Sequence, residues 1–134
     1  MTCVVDHAAL YRLVGSPAIM AAQMSFLLEA AAMPSVTVQV LPAIAHPAAA
    51  SELIIADNRA AYVEHMAAGA VYTEIERVNG LQRVFATIRG EAYRTSESAA
   101  IIKEAERTWT RETGAKAATA PRTDRVSRRP ATLG

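Results

Sequence analysis

The side chains best equipped for chemistry are few and scattered. Cys3 and His7 stand four apart, and His46 and His65 follow far along the chain. Zinc takes thiolate and imidazole ligands, but a closed site draws four of them from short, paired spacings. These four residues match no such pattern, so packing or surface roles are expected for them and no metal. Gly15-Ser16-Pro17 lacks the Gly-x-Ser-x-Gly frame of a nucleophile elbow, and Ser16 is better placed to cap a helix. No glycine-rich loop precedes a helix to cradle phosphate, and no two carboxylates fall in an acid–base frame. The sequence therefore implies no cofactor and no catalytic residue, and an enzyme is not expected.

The elements that would position these residues are easier to read. Thr2 to Asp6 is a short β-like run, and His7 to Val14 a turn of helix ending at Gly15. Ser16 as N-cap and Pro17 at the first helical position open a helix over 17–32, whose buried stripe is Met20, Met24, Leu27, Leu28 and Ala31. Pro34 stops it. Val36, Val38 and Val40 alternate with polar residues, the period of a strand with one buried face. Leu53 to Ala56 and Ala60 to His65 flank Asp57-Asn58-Arg59 and predict a hairpin; Ala70 to Tyr72 adds a third short run. The simplest arrangement of 36–72 is an antiparallel meander.

Thr73 and Glu76 have the spacing of a capping box and start a second long helix running through Tyr93. Its apolar face would be Ile75, Val78, Leu81, Phe85, Ile88 and Ala92. Thr95 or Ser96 would cap a third helix that buries Ile101, Ile102, Ala105 and Trp109. The expected fold class is α+β: a small antiparallel sheet of four to five short strands packed with three main helices. Apolar periodicity ends at Gly114, which predicts an ordered domain over 1–113 and a disordered basic tail over 114–134.

Composition narrows the function. Of 134 residues 51% are hydrophobic, yet 29 are alanine, which adds little burial, so the core is lean. Aromatic residues make up only 5%, too few for base stacking or a large aromatic-lined cavity. No run approaches the roughly 20 apolar residues of a membrane span, and the N-terminus lacks the pattern of a secretory signal, so the expected setting is the cytoplasm. The single cysteine fits that setting. Residues 1–110 carry 8 basic and 11 acidic side chains, a net of −3, and residues 111–134 a net of +4. A body of that sign repels phosphate, which argues against sequence-specific DNA reading by the folded part.

The stretch VVDHAALYRLVGSPAIMAAQMSFLLEAAAMPSVTVQVLP, the loop AHP, and then YVEH and AVYTEIERV resemble the uncharacterised domain that follows an N-terminal helix-turn-helix in many actinobacterial, antitoxin-like transcriptional regulators of the XRE type. The likeness covers roughly residues 4–109. It departs from the family pattern at His7, where an acidic residue is usual, and in the short loop Ala48 to Ser51. The resemblance implies that DNA contact belongs to an upstream helix-turn-helix absent from this chain. It also implies that the domain dimerises the regulator, holds a small partner protein or senses a ligand.

Asp6, Arg12 and Glu64 match polar positions of that pattern and are the candidates for a binding role, with His46 beside Pro47 as a weaker one. Each has a plainer role: Asp6 as cap of the following helix, Arg12 as its ion-pair partner, Glu64 on a solvent face, His46 at a rigid loop corner. A small-molecule pocket between the sheet and the methionine-bearing helix is the alternative reading. If an upstream part is missing, side chains such as Met24, Leu27, Val38 or Ile55 would be bared, and self-association or a partner would cover them. Limited trypsin digestion should cut first at Arg122, Arg125 and Arg128; protection of these sites while the body is cut would exclude a disordered tail.

Overall fold

The computed structural model describes residues 1–43, 52–65 and 68–119. Strand β1 (Thr2–Asp6) leads into the single-turn helix α1 (His7–Tyr11), then α2 (Pro17–Ala31) and β2 (Thr37–Leu41). Strands β3 (Glu52–Ala56), β4 (Ala60–His65) and β5 (Ala68–Tyr72) follow, then helices α3 (Ile75–Glu91) and α4 (Thr95–Thr119). The class is α+β as expected, with five short strands and three main helices. The strands, however, form two sheets.

β2 does not belong to the meander. It pairs in parallel with β1, Thr2 opposite Thr37 and Asp6 opposite Leu41, while β3, β4 and β5 form an antiparallel sheet in that order. The reason is the connection: a chain that leaves β1 and returns through a helix lying on the sheet enters the next strand in the same direction. The hairpin of β3 and β4 is as read from the sequence. Asp57 (φ 47°) and Asn58 (φ 58°) take the left-handed conformation its turn requires, which these two side chains tolerate.

The core lies between α2, β2 and α4. Leu10, Met20, Met24, Val38, Val40, Ile102, Ala105 and Trp109 are buried together, with Leu27, Leu28, Ala31 and Ile101 packed against them. The stripes read for α2 and α4 are thus the buried ones. α2 starts where its cap predicts, Ser16 Oγ accepting the Ile19 N–H at 3.3 Å. On α3 the outcome differs: of the expected face only Val78 is buried, Leu81, Phe85, Ile88 and Ala92 are half-buried, and Ile75 is exposed. The three-stranded sheet covers only part of that helix, which also ends at Glu91, two residues before Tyr93.

Helix caps also differ from the sequence reading. Glu74 caps α3 without a side-chain bond to the first turn, so the Thr73–Glu76 capping box does not form. α4 starts from Arg94 rather than from Thr95 or Ser96 as cap: Glu97 Oε2 accepts the Arg94 N–H at 3.1 Å, and the Arg94 carbonyl accepts the Ser98 N–H at 2.8 Å. At its other end α4 runs to Thr119, six residues past the expected boundary. Extending a formed helix fixes one residue per added hydrogen bond, and the alanines after Gly114 favour it by their helix propensity. Residues 120–134, the rest of the expected tail, lie outside the described residues.

Ser98 joins α4 to the parallel sheet. It is fully buried; its Oγ accepts the Val40 N–H at 2.9 Å and donates to the Tyr93 carbonyl at 3.2 Å. Tyr93 N–H in turn donates to the Val40 carbonyl at 2.9 Å, and Gln39 Nε2 to the Tyr93 carbonyl at 2.9 Å. The edge of β2 away from β1 is thereby satisfied by the α3–α4 junction instead of a third strand. Replacing Ser98 by alanine leaves the Val40 N–H buried without an acceptor, and urea unfolding should show a loss of about 1–3 kcal/mol.

Candidate functional site

The sequence-derived candidates do not converge. Asp6 ends β1 and caps α1, its Oδ1 accepting the Ala8 N–H at 2.6 Å. Arg12 follows α1 as an exposed C-cap, its own N–H donating to the Ala8 carbonyl at 3.0 Å. The expected Asp6–Arg12 ion pair is not formed; on α4, Glu104 pairs with Arg107 and Arg111. Glu64 lies on the exposed face of β4 in the other sheet. His46 lies outside the described residues.

Glu64 has one neighbour of note. Tyr62 shares its face of β4, and partial burial, followed by the carboxylates of Glu64 and Glu52, pushes the phenol pKa above its ordinary value of 10. The Tyr62 ring lies across Gly69 of β5, where a Cβ would overlap its hydroxyl and ring carbons. Gly69 is therefore the seat of the ring. The arrangement buries half of an aromatic side chain on an otherwise open face and makes no catalytic pairing.

Among the described residues no three His, Cys, Asp or Glu side chains stand together to hold a metal ion, and no helix is long and apolar enough to cross a membrane. Met20 and Met24 fill the space between α2 and β2 and line neither of two clefts beside the three-stranded sheet. One cleft of about 370 Å³ lies between α3 and the three-stranded sheet, lined by Val63, Tyr72, Arg77, Gly80 and Leu81, with the Arg77 guanidinium 5.2 Å from the centre of the Tyr72 ring. The other, of about 700 Å³, lies between the two sheets.

The most pronounced surface feature is on α2, and sequence reasoning passed over it. Ile19, Phe26 and Met33 are 60%, 59% and 53% exposed. Ile19 and Phe26 are seven residues apart, so they fall on one side of the helix with Ala22 and Gln23 between them, and Met33 lies just beyond its C-terminal end. Glu29 is the only charged residue in α2. A helix apolar on all sides is normally covered on all sides. Here β2 and α4 cover one side and the other stays open; Leu13 and Val14, in the segment that leads into α2, are exposed as well. Met24 and Val38, which the sequence reading offered as bared, are buried, and Leu27 and Ile55 half-buried.

The geometry holds this face in place from its N-terminal end. Gly15 has φ +75°, and a Cβ there would approach Ile19 Cδ1 at 2.9 Å. Trp109 Nε1, on α4, donates to the Leu10 carbonyl at 2.8 Å and anchors the segment just before this turn. The signal was present in the sequence as a helix with a single charge, but a stripe shows which side is apolar only when the other side is polar.

The sequence of residues 1–104 matches the family described as a domain of unknown function (DUF5753), and the chain belongs to that family. No curated protein and no solved structure matches it.

Because the folded state raises the Tyr62 pKa, it favours the protonated phenol. The associated stability is complete below the unfolded-state value and is lost as pH rises through the folded-state value. Denaturant midpoints measured above pH 10 should fall less steeply for Tyr62→Phe than for the parent chain.

Proposed function

We propose that this chain is a non-enzymatic interaction domain of an antitoxin-like transcriptional regulator, and that it self-associates through the outer face of α2. DNA contact in this reading belongs to a separate helix-turn-helix module. The observation that carries the proposal is exposed Ile19 and Phe26 on a helix with one charged residue, with exposed Met33 just past its end. A face without charges has little to discriminate a foreign partner, whereas it is complementary to itself about a two-fold axis.

Magnitudes favour a moderate affinity. A large apolar side chain contributes about 1.5–3 kcal/mol on full burial, and these three are already covered by nearly half. The six side chains of two copies therefore supply on the order of 5–10 kcal/mol. That is comparable with the roughly 4–15 kcal/mol cost of association, so Leu13 and Val14 must join the interface for a stable dimer. The family resemblance supports the wider reading, in which dimerisation through this domain sets the spacing of two DNA-binding modules.

Sedimentation equilibrium across micromolar concentrations should show a monomer–dimer equilibrium. Phe26→Glu, which places a charge on that face, should shift it to monomer by at least about tenfold in Kd with thermal stability retained. A concentration-independent monomer for the parent chain would exclude self-association and leave a small partner protein as the occupant of α2.

A further inference from the structure

The cleft of about 700 Å³ between the sheets has an unusual lining. Met1 to Val4 run along one wall and Glu52 to Ile55 along another, with Gln82 and Phe85 contributed by α3. A sheet face presents every second residue, whereas a strand edge presents consecutive ones. The cleft therefore looks onto the edges of β1 and β3. Among the described strands, β1 pairs only with β2 and β3 only with β4, and the two edges do not pair with each other.

The backbone alternation on β1 can be assigned. Thr37 N–H donates to the Met1 carbonyl at 2.9 Å, which turns the main-chain groups of Met1, Cys3 and Val5 toward β2. Those of Thr2 and Val4 consequently point the other way. All five residues of β1 are nevertheless half-buried, so these groups lie in a recess and not on an open surface.

We propose that this cleft is a slot for an extended peptide strand of a partner protein, which hydrogen-bonds to β1 on one side and β3 on the other and joins the two sheets through itself. Main-chain pairing supplies the affinity and alternate side chains the selectivity in such strand addition. Every second side chain of the occupant is apolar, to meet the apolar lining of Leu53, Ile55 and Phe85, and a basic residue meets Glu52, the carboxylate of the lining. A second copy of the chain is a poor occupant. Entry between two edges needs a strand with both of its own edges free, and each described strand is already paired on at least one. The proposal is independent of the α2 face, so either can fail alone.

The probe is a synthetic peptide of alternating valine and threonine with a terminal lysine, added to the full chain. Two readouts report the slot: alkylation of Cys3, the single cysteine, and amide exchange at Thr2 and Val4. At a peptide concentration about ten times its Kd, both should slow by roughly tenfold. The same peptide N-methylated at every second residue, which removes the donors along one edge, should give no protection. Val4→Pro, which deletes an outward N–H and spares the β2 ladder, should abolish protection with Trp109 fluorescence unchanged. Absence of protection by the alternating peptide, or equal protection by the N-methylated one, would overturn the proposal. Loss of self-association in Val4→Pro would also overturn it, by placing a second copy in the slot.

Discussion

The backbone of Val40 is the constraint on which the arrangement depends. Its side chain is completely buried, and its N–H and C=O point away from β1, where no further strand accepts them. A buried amide without a partner costs about as much as a large apolar side chain contributes. Ser98 Oγ and Tyr93 N–H close both groups, at 2.9 Å each. Those bonds fix where α3 ends, where α4 begins and which face of α4 turns to the core. Once α4 is seated, Ile102, Ala105 and Trp109 follow at helical spacing onto α2 and α1.

This solution closes one side of a two-stranded sheet with a helix junction and leaves the other strand, β1, with a recessed edge. The same economy appears on α2. Alanine-rich helices pack closely with few large side chains, so a lean core forms between α2, β2 and α4. Large apolar groups are left over on the outer face of α2. The open face of α2 belongs to the βαβ half of the domain, and the recessed edge of β1 looks across the cleft to the three-stranded sheet. Preorganised surfaces of this kind bind without the cost of ordering a loop at the moment of contact.

The three-stranded sheet is a looser partner. It covers α3 incompletely, with Val78 alone fully buried, and exposes Ile54 and Val71 on its far side. The Tyr62 ring seated on Gly69 is its main outer-face contact, pairing a large aromatic with the one residue that has no side chain to displace it. Membership of DUF5753 places this architecture in a family without assigning it an activity, so the physical case for an interaction role rests on the surfaces themselves.

Much of the fold was legible in the sequence because it is set by local rules. Ser16-Pro17 fixes the start of α2, Asp57-Asn58 fixes the hairpin, Asp6 caps α1, and the stripes of α2 and α4 name the core. What tertiary structure alone decided is the pairing of distant segments. The valines of β2 have the same period whether the strand is parallel or antiparallel, and nothing local distinguishes β1 from β5 as neighbour. Capping chemistry was ambiguous for a related reason: Thr73, Thr95 and Ser96 are all suitable types, and the buried amide of Val40 selected Ser98, two residues further on, for a different task. The candidate surface on α2 was hidden in plain composition. A helix with apolar residues all round announces that it is covered, and only the packed molecule shows which side its own chain leaves open, because coverage is a property of neighbours and not of the helix.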